Sequence, residues 1–168
     1  MRRGMRWEIG LLAAAVLAVC ALGLGKAFHM DDPLVVWTGQ QVAAHPADFY
    51  GFDVNWYGQP SPMVEVDQNP PGASYYAAVF GAALGWGEPV IHGAVALLGV
   101  LLVVAAYLAG RQLTGAGGLT GALLLASPGV LVSLHTVMTD LPMTALWMAA
   151  LALWVRGLDD RRAGANVA

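Results

Sequence analysis

Charged residues are scarce in this chain of 168 residues, and their scarcity restricts what the protein can be. Only 11% of the residues are charged and 58% are apolar, whereas a soluble domain carries about 25% charged residues. An ordinary soluble fold and a disordered chain are both excluded, because neither fits so little charge with a mean hydropathy of +0.61. The composition instead indicates an integral membrane protein.

Three further absences exclude several classes of function. With Cys20 as its single cysteine, the chain can form no intrachain disulfide. A net charge of −3 does not provide the basic surface that nucleic acid requires, so no nucleic-acid partner is expected. The sequence also has no glycine-rich phosphate loop after a strand, no metal-binding Cys/His cluster and no H-E-x-x-H motif. Any catalytic chemistry must therefore use other groups.

Long uncharged stretches predict an all-α integral membrane fold with four transmembrane helices. The first covers about residues 9–25 and the second about 89–110. The remaining apolar region is too long for one crossing, because a bilayer core of about 30 Å takes about 20 helical residues. We therefore expect a tight helical hairpin there, with spans at about 117–135 and 139–156.

The basic residues predict which ends of these helices face the cytoplasm. Seven of the eight fall on one side of the four-span arrangement, and only Lys26 lies on the other. The seven are Arg2, Arg3, Arg6, Arg111, Arg156, Arg161 and Arg162. The positive-inside rule makes their side cytoplasmic, together with both termini. The long first loop, residues 27–88, is then extracytoplasmic.

A cleaved signal peptide is the alternative interpretation of the first span. Arg2 and Arg3 precede an apolar run with small residues near its end, but that run exceeds the roughly 7–15 residues of a signal core. In either case the segment that follows is extracytoplasmic.

The outer loop holds eleven of the fifteen aromatic residues. Because tryptophan and tyrosine favour the headgroup layer, we expect the loop to lie on the membrane. Two short interfacial helices are predicted in it, one from Asp32-Pro33 to the residue before His45-Pro46, the other from Asn69-Pro70-Pro71 to Gly85. Residues 46–69 have proline, glycine and aspartate at turn spacing, so we expect no regular structure there.

Three acidic residues at the predicted outer boundary of the membrane are the candidates for chemistry. Asp31 and Asp32 follow the first span, and Asp140 lies between the third and fourth. Ionisable groups at such a boundary are costly unless they are paired or face water. Their carboxylates can act as a general base or bind a divalent cation through hard oxygen ligands.

Each of these residues also has a purely structural interpretation. Asp32 and Asp140 both fit helix N-caps, because each stands at the predicted start of a helix. Asp31 has no such capping role, but it fits a solvated loop acid paired with Lys26 or His29. The residues themselves leave these alternatives open.

The order of the features resembles a family of membrane enzymes, the GT-C glycosyltransferases. The resemblance is to the N-terminal part of their protein-mannosyltransferase and aminoarabinose-transferase-like group, and it extends over nearly the whole chain. The residues that carry it, after a basic head and one span, are His29-Met30-Asp31-Asp32-Pro33, His45-Pro46, Tyr50 to Tyr57, Asn69-Pro70-Pro71, Ser74-Tyr75-Tyr76 and Asp140.

This resemblance implies transfer of a sugar, with inversion, from a polyprenyl-phosphate donor to a lipid, glycan or protein acceptor. The transfer would take place on the outer face of the bacterial cytoplasmic membrane. Asp31 matches the base for the acceptor hydroxyl, and Asp32 matches the acid that orients the acceptor or a metal. Asp140 matches the acidic residue found after the third span. A divalent cation, Mg²⁺ or Mn²⁺, would be bound by Asp32 and Asp140.

Members of that group continue through several more spans, so the resemblance also predicts an incomplete enzyme. We expect an N-terminal fragment, a truncated product, or one half of a split enzyme whose missing spans come from a second chain. Such a chain is expected to be inactive alone. The alternative from a different class is a non-catalytic four-span scaffold, or a subunit that binds lipid or a partner through its aromatic loop.

Overall fold

The structure is a computed structural model that describes residues 2–165, with side chains for residues 4–158. Eight helices and one two-stranded sheet follow one another in this described part of the chain. They are α1 (Arg2–Ala21), α2 (Asp32–Ala44), β1 (Asp53–Asn55), β2 (Pro60–Pro62), α3 (Met63–Val66), α4 (Gly72–Leu84), α5 (Glu88–Thr114), α6 (Gly117–Leu125), α7 (Pro128–Ser133) and α8 (Asp140–Ala165).

Three of the described helices are long and apolar enough to cross a membrane. Their apolar segments are Gly4–Ala21 in α1, Glu88–Thr114 in α5 and Asp140–Leu158 in α8, which correspond to the first, second and fourth predicted spans. The predicted orientation depends partly on four side chains that lie outside the described ones, those of Arg2, Arg3, Arg161 and Arg162.

Helix α5 is the centre of the helical packing. Helices α1, α4, α6 and α8 all pack against it, and Leu102 and Val103 near its middle are fully buried. Gly99 marks a close approach, because an added Cβ would lie 2.3 Å from Leu134 Cδ2 and 3.1 Å from Val16 Cγ1. The missing side chain at Gly99 thus lets α1 and the end of α7 pack directly on α5.

The predicted third span differs in the structure. Residues 117–135 do not form one helix but two, α6 with 9 residues and α7 with 6. The break has a local cause, because Pro128 lacks an N–H and disfavours a helical conformation in the residue before it. Ser127 accordingly adopts an extended conformation, with φ −64° and ψ 129°. The continuous helix expected here is therefore interrupted at Ser127.

The broken pair of helices runs alongside α1. Near the start of α6, a Cβ added at Gly118 would lie 3.4 Å from Glu8 Oε2. Beyond the end of α7, His135 Nε2 lies 3.1 Å from the carbonyl oxygen of Val19. Helices α6 and α7 together therefore extend from the N-terminal part of α1 to its C-terminal end.

Both helices predicted in the outer loop are present, as α2 and α4. Helix α2 begins at Asp32-Pro33 and α4 begins directly after Pro70-Pro71, as predicted. Both end within one residue of the predicted positions. The two helices pack against each other, and Trp86 lies against a glycine of each. An added Cβ would lie 3.0 Å from the Trp86 ring at Gly39 and 2.4 Å from it at Gly81. Glycine at these two positions thus makes room for the indole.

The stretch predicted to lack regular structure contains a small antiparallel sheet instead. Strand β1 pairs with β2, with Val54 opposite Ser61. Two of the three residues in β2 are prolines, which have no N–H to donate and are depleted in strands, so they hid this strand in the sequence. Val54 and Met63 are buried together with Leu34 of α2 in a second small core. The sheet is therefore packed onto α2.

Candidate active site

The turn that precedes α2 places two adjacent aspartates in different environments. Met30 has a φ of 51°, in the left-handed region that non-glycine residues rarely adopt, and the N–H of Asp32 donates to the carbonyl oxygen of His29 across the turn, at 3.1 Å. Asp31 is exposed, whereas only 1% of Asp32 is exposed. One carboxylate is thus in solvent and the next is inside the protein.

Both carboxylate oxygens of Asp32 accept hydrogen bonds from backbone N–H groups. The donors are His29, 3.1 Å from Oδ2, and Val137, 2.6 Å from Oδ1. The bond to Val137 joins α2 to the segment between α7 and α8. A buried carboxylate with both oxygens engaged is not open to an acceptor, so Asp32 connects two parts of the fold instead. Nor is Asp32 the N-cap, because α2 begins at Asp32 and the N-cap position is Asp31.

Asp31 lines a cleft of about 420 Å³. The cleft is formed by the start of α2, the segment from Trp56 to Asn69, and the segment between α7 and α8. Within the described chain, the Asp31 carboxylate has no hydrogen bond or ion pair, so neither Lys26 nor His29 pairs with it. Other residues that line the cleft are Trp56, Tyr57, Glu65, Asp67, Met138 and Thr139.

Asn69, the first residue of the Asn69-Pro70-Pro71 motif, lines one side of this cleft. The buried carboxylate of Asp67 accepts hydrogen bonds from the backbone N and side-chain Nδ2 of Asn69, at 2.9 and 2.8 Å. The hydroxyl of Tyr50 donates to the carbonyl oxygen of Asn69. Burial and the nearby Asp67 carboxylate raise the pKa of Tyr50 to about 12, so Tyr50 remains a donor at physiological pH. These bonds fix Asn69 in place.

Lys26 is engaged in contacts between helices. Its Nζ donates to the carbonyl oxygen of His135 at 2.8 Å, and its own carbonyl oxygen lies 3.0 Å from Nε2 of the buried His92. These bonds connect the segment after α1 to α5 and to the end of α7. Among the residues with described side chains, no lysine, arginine or histidine lines the cleft. No local pattern in the sequence indicates that Lys26 joins His92 and His135.

Asp140 lies next to the cleft rather than in its wall. It is the exposed first residue of α8, where a negative charge complements the helix dipole. Met138 and Thr139 line the cleft, and Asp140 does not.

The metal site expected from Asp32 and Asp140 does not fit these donors. Both oxygens of Asp32 already accept backbone hydrogen bonds. Nowhere in the described residues do three His, Cys, Asp or Glu side chains come close enough together to bind a metal ion.

A comparison with known proteins identifies the family. The sequence model of the dolichyl-phosphate-mannose-protein mannosyltransferase family matches residues 68–167, more than half of the chain. The chain belongs to this family. The match confirms the resemblance found in the sequence, and it covers α4 to α8, Asn69 and Asp140, while Asp31 and Asp32 precede it. No curated protein and no solved structure matches the chain significantly.

Membership in this mannosyltransferase family gives the cleft a chemical context. The family implies a glycosyltransferase of the mannosyltransferase kind, with a lipid-linked sugar donor and an acceptor. A lipid-linked donor resides in the membrane, in agreement with the three long apolar helices.

Proposed function

We propose that the chain provides the outer catalytic surface of an enzyme that transfers a sugar from a polyprenyl-phosphate donor to an acceptor hydroxyl. The reaction takes place at the extracytoplasmic face of the bacterial cytoplasmic membrane, within the cell envelope. The observation that carries this proposal is the Asp31 carboxylate, which is exposed and unpaired in the described chain and lines a cleft. A carboxylate in that state is suited to act as a general base.

The proposed topology has four crossings, of which the third is broken. Helices α6 and α7 follow α1 from Glu8 to Val19, so together they bring the chain back across the membrane. The bond between Asp32 and Val137 then joins two loops on the same side. With the termini in the cytoplasm, the cleft opens at the outer surface, where a lipid-linked donor and an acceptor can meet.

Asp31 acts on the acceptor in this mechanism. Its carboxylate takes the proton from the acceptor hydroxyl, and the acceptor oxygen attacks the anomeric carbon on the face opposite the phosphate. The bond between the anomeric carbon and the phosphate oxygen breaks, and its electron pair leaves with the polyprenyl phosphate. The anomeric configuration is inverted. No step uses a metal ion, because the donor set described above does not fit one.

The leaving phosphate and the placement of the substrates need further groups. Positive groups stabilise the charge that develops on a departing phosphate, and among the residues with described side chains none lines the cleft. Asp140 is the candidate for a second carboxylate of the active site beside Asp31, because it is exposed and adjoins Thr139 in the cleft wall.

The test of the base is Asp31→Asn, made in the native host so that the chain meets any partner it has. Asparagine cannot take the proton, so we expect transfer from a radiolabelled polyprenyl-phosphate sugar in isolated membranes to fall by about 100-fold or more. Asp48→Asn is the matched control, because Asp48 is an exposed acid of the same loop outside the cleft. Carbonate-resistant membrane insertion should be normal for both. Unchanged transfer by Asp31→Asn would remove the base from the mechanism.

A further inference from the structure

A second groove of about 580 Å³ adjoins the cleft, between α2 and β1. It combines aromatic rings with planar polar side chains, a lining unlike that of a purely apolar pocket. The side chains that the argument uses are Trp37, Phe52, Gln40, Gln41, Asp53 and Asn55.

The aromatic part of this groove is held in place by packing. The ring of Trp37 meets that of Trp56 edge to face, with centroids 6.1 Å apart and planes at 84°. Even so, 38% of Trp37 remains exposed. A fixed ring of this kind offers an apolar surface to a ligand at little cost in side-chain entropy.

The polar side chains of the groove are available for a ligand. The Nε2 of Gln41 donates to the carbonyl oxygen of Asp48 at 2.9 Å, which orients the amide. Gln40, Asp53 and Asn55 are exposed, and their side chains make no hydrogen bond with any other described residue. The groove therefore presents amide donors, amide acceptors and a carboxylate acceptor close to an aromatic ring.

We propose that this groove binds a saccharide part of the acceptor. A sugar ring has a C–H face that stacks on an aromatic ring and hydroxyl groups that both donate and accept hydrogen bonds. The groove offers partners for both kinds of group. The assignment rests on the proposed function, since it makes the groove a subsite of the Asp31 cleft.

The two tryptophans connect the groove to the cleft. Trp37 lines the groove, and its partner Trp56 lines the cleft. Along α2, Asp31 and Gln41 are separated by about 15 Å, at roughly 1.5 Å of rise per residue. A short oligosaccharide that stacks on Trp37 can therefore extend along α2 and bring its terminal hydroxyl to Asp31.

An extended peptide fits the same groove less well. Peptides that bind at a sheet edge depend on main-chain hydrogen bonds along a strand, and β1 has only three residues. The polar groups described here are side chains, which suit hydroxyl groups better than they suit a second strand.

The test measures the binding of mannotriose to the purified chain by saturation-transfer difference NMR. A detergent without a sugar headgroup, such as an amine oxide, is required so that it does not compete. We expect the protein to transfer magnetisation to the ring protons of mannotriose, with a signal that saturates as mannotriose is added. Trp37→Leu should bind mannotriose at least tenfold more weakly. The exposed pair Gln40→Ala with Asn55→Ala should weaken binding similarly without altering the packing of Trp37. Trp147→Leu, an exposed tryptophan of α8, is the matched control and should bind like the wild type.

Asp31→Asn separates this inference from the proposed function, because stacking on Trp37 does not require the base. If Asp31→Asn loses transfer but mannotriose does not bind the wild type, the subsite is wrong and the proposed function stands. If mannotriose binds in a Trp37-dependent way but transfer does not depend on Asp31, the subsite stands and the base is wrong. Binding of a Ser/Thr-rich peptide in place of mannotriose overturns the saccharide assignment.

Discussion

Asp31 and Asp32 are adjacent, yet their carboxylates have different uses. The left-handed Met30 changes the direction of the chain just before them, and the first aspartate then stays in solvent while the second is buried. Burial of a carboxylate is tolerated only when hydrogen bonds compensate it, and Asp32 has two from backbone N–H groups. At this scale, the hydrogen-bond partners of a side chain decide its role more than its type does.

Asp32→Asn tests the connecting role of this residue. An asparagine has one acceptor oxygen and places an NH₂ group against a backbone N–H, so one buried donor loses its partner. We expect a loss of about 1–3 kcal/mol in the free energy of unfolding, measured as a lower midpoint of thermal unfolding in detergent. Asp31→Asn is the matched control, since its exposed carboxylate has no bond within the described residues to lose. Equal midpoints for the two variants would contradict the assignment.

The sequence could single out this pair but could not predict that one carboxylate is exposed and the other buried. A carboxylate just beyond a span is a functional candidate by its position alone, and that argument applied to both. What separates them is the N–H of Val137, which lies 105 residues away in the sequence. No local pattern predicts a contact at that distance.

At the scale of helices and strands, local signals predicted most of the structure. Asp32-Pro33 and the glycines after Leu84 mark the ends of α2 and α4, because proline and glycine act on the backbone of the adjacent residues. Proline also explains the two wrong predictions, a continuous helix over residues 117–135 and no regular structure over residues 46–69. Pro128 stands in a long apolar run that predicts a continuous helix although proline interrupts one, and the prolines of β2 favour turns. The break at Pro128 is local, whereas β2 forms through its pairing with β1.

Gly99 in α5 provides a test of the helix packing. In Gly99→Ala, the added methyl group would lie 2.3 Å from Leu134 Cδ2, and overpacking of this kind costs about 1–3 kcal/mol. The unfolding midpoint in detergent should therefore fall. Gly93→Ala is the matched control on the same helix, because nothing lies within 4 Å of its added Cβ. That variant should be neutral or slightly more stable, since alanine favours helix by up to about 1 kcal/mol. A higher midpoint for Gly99→Ala would show that α1 and α7 are not packed on α5 as described.

The whole molecule consists of a helical bundle around α5 and a smaller outer unit around Val54 and Met63. Helix α2 belongs to both, because Val35 and Val36 are in the first core and Leu34 is in the second. The cleft lies where the two cores adjoin, and its wall includes residues from each. A rigid bundle therefore supports a site that is built largely from loop residues.

Cysteine labelling in intact cells tests the arrangement of the whole chain. The native Cys20 is buried, so a maleimide should label it only weakly. With a membrane-impermeant maleimide, we expect Gln59→Cys in the β1–β2 turn and Thr139→Cys in the cleft wall to react. Ala116→Cys, before α6, should react only after the membrane is permeabilised. Reaction of Ala116→Cys in intact cells, or protection of Thr139→Cys, would contradict a third crossing made by α6 and α7.

The bond between Asp32 and Val137 also determines the order in which parts of the fold can form during synthesis. Ribosomes add roughly 5–20 residues per second, so a separation of 105 residues corresponds to about 5–20 s of synthesis. Throughout that interval Asp32 has been synthesised but its partner does not yet exist. The nascent chain must therefore keep this carboxylate hydrated until Val137 is available. The cleft is thus among the last parts of the described chain to be assembled, and a nascent chain that ends before Val137 has α2 without the opposite wall of its site.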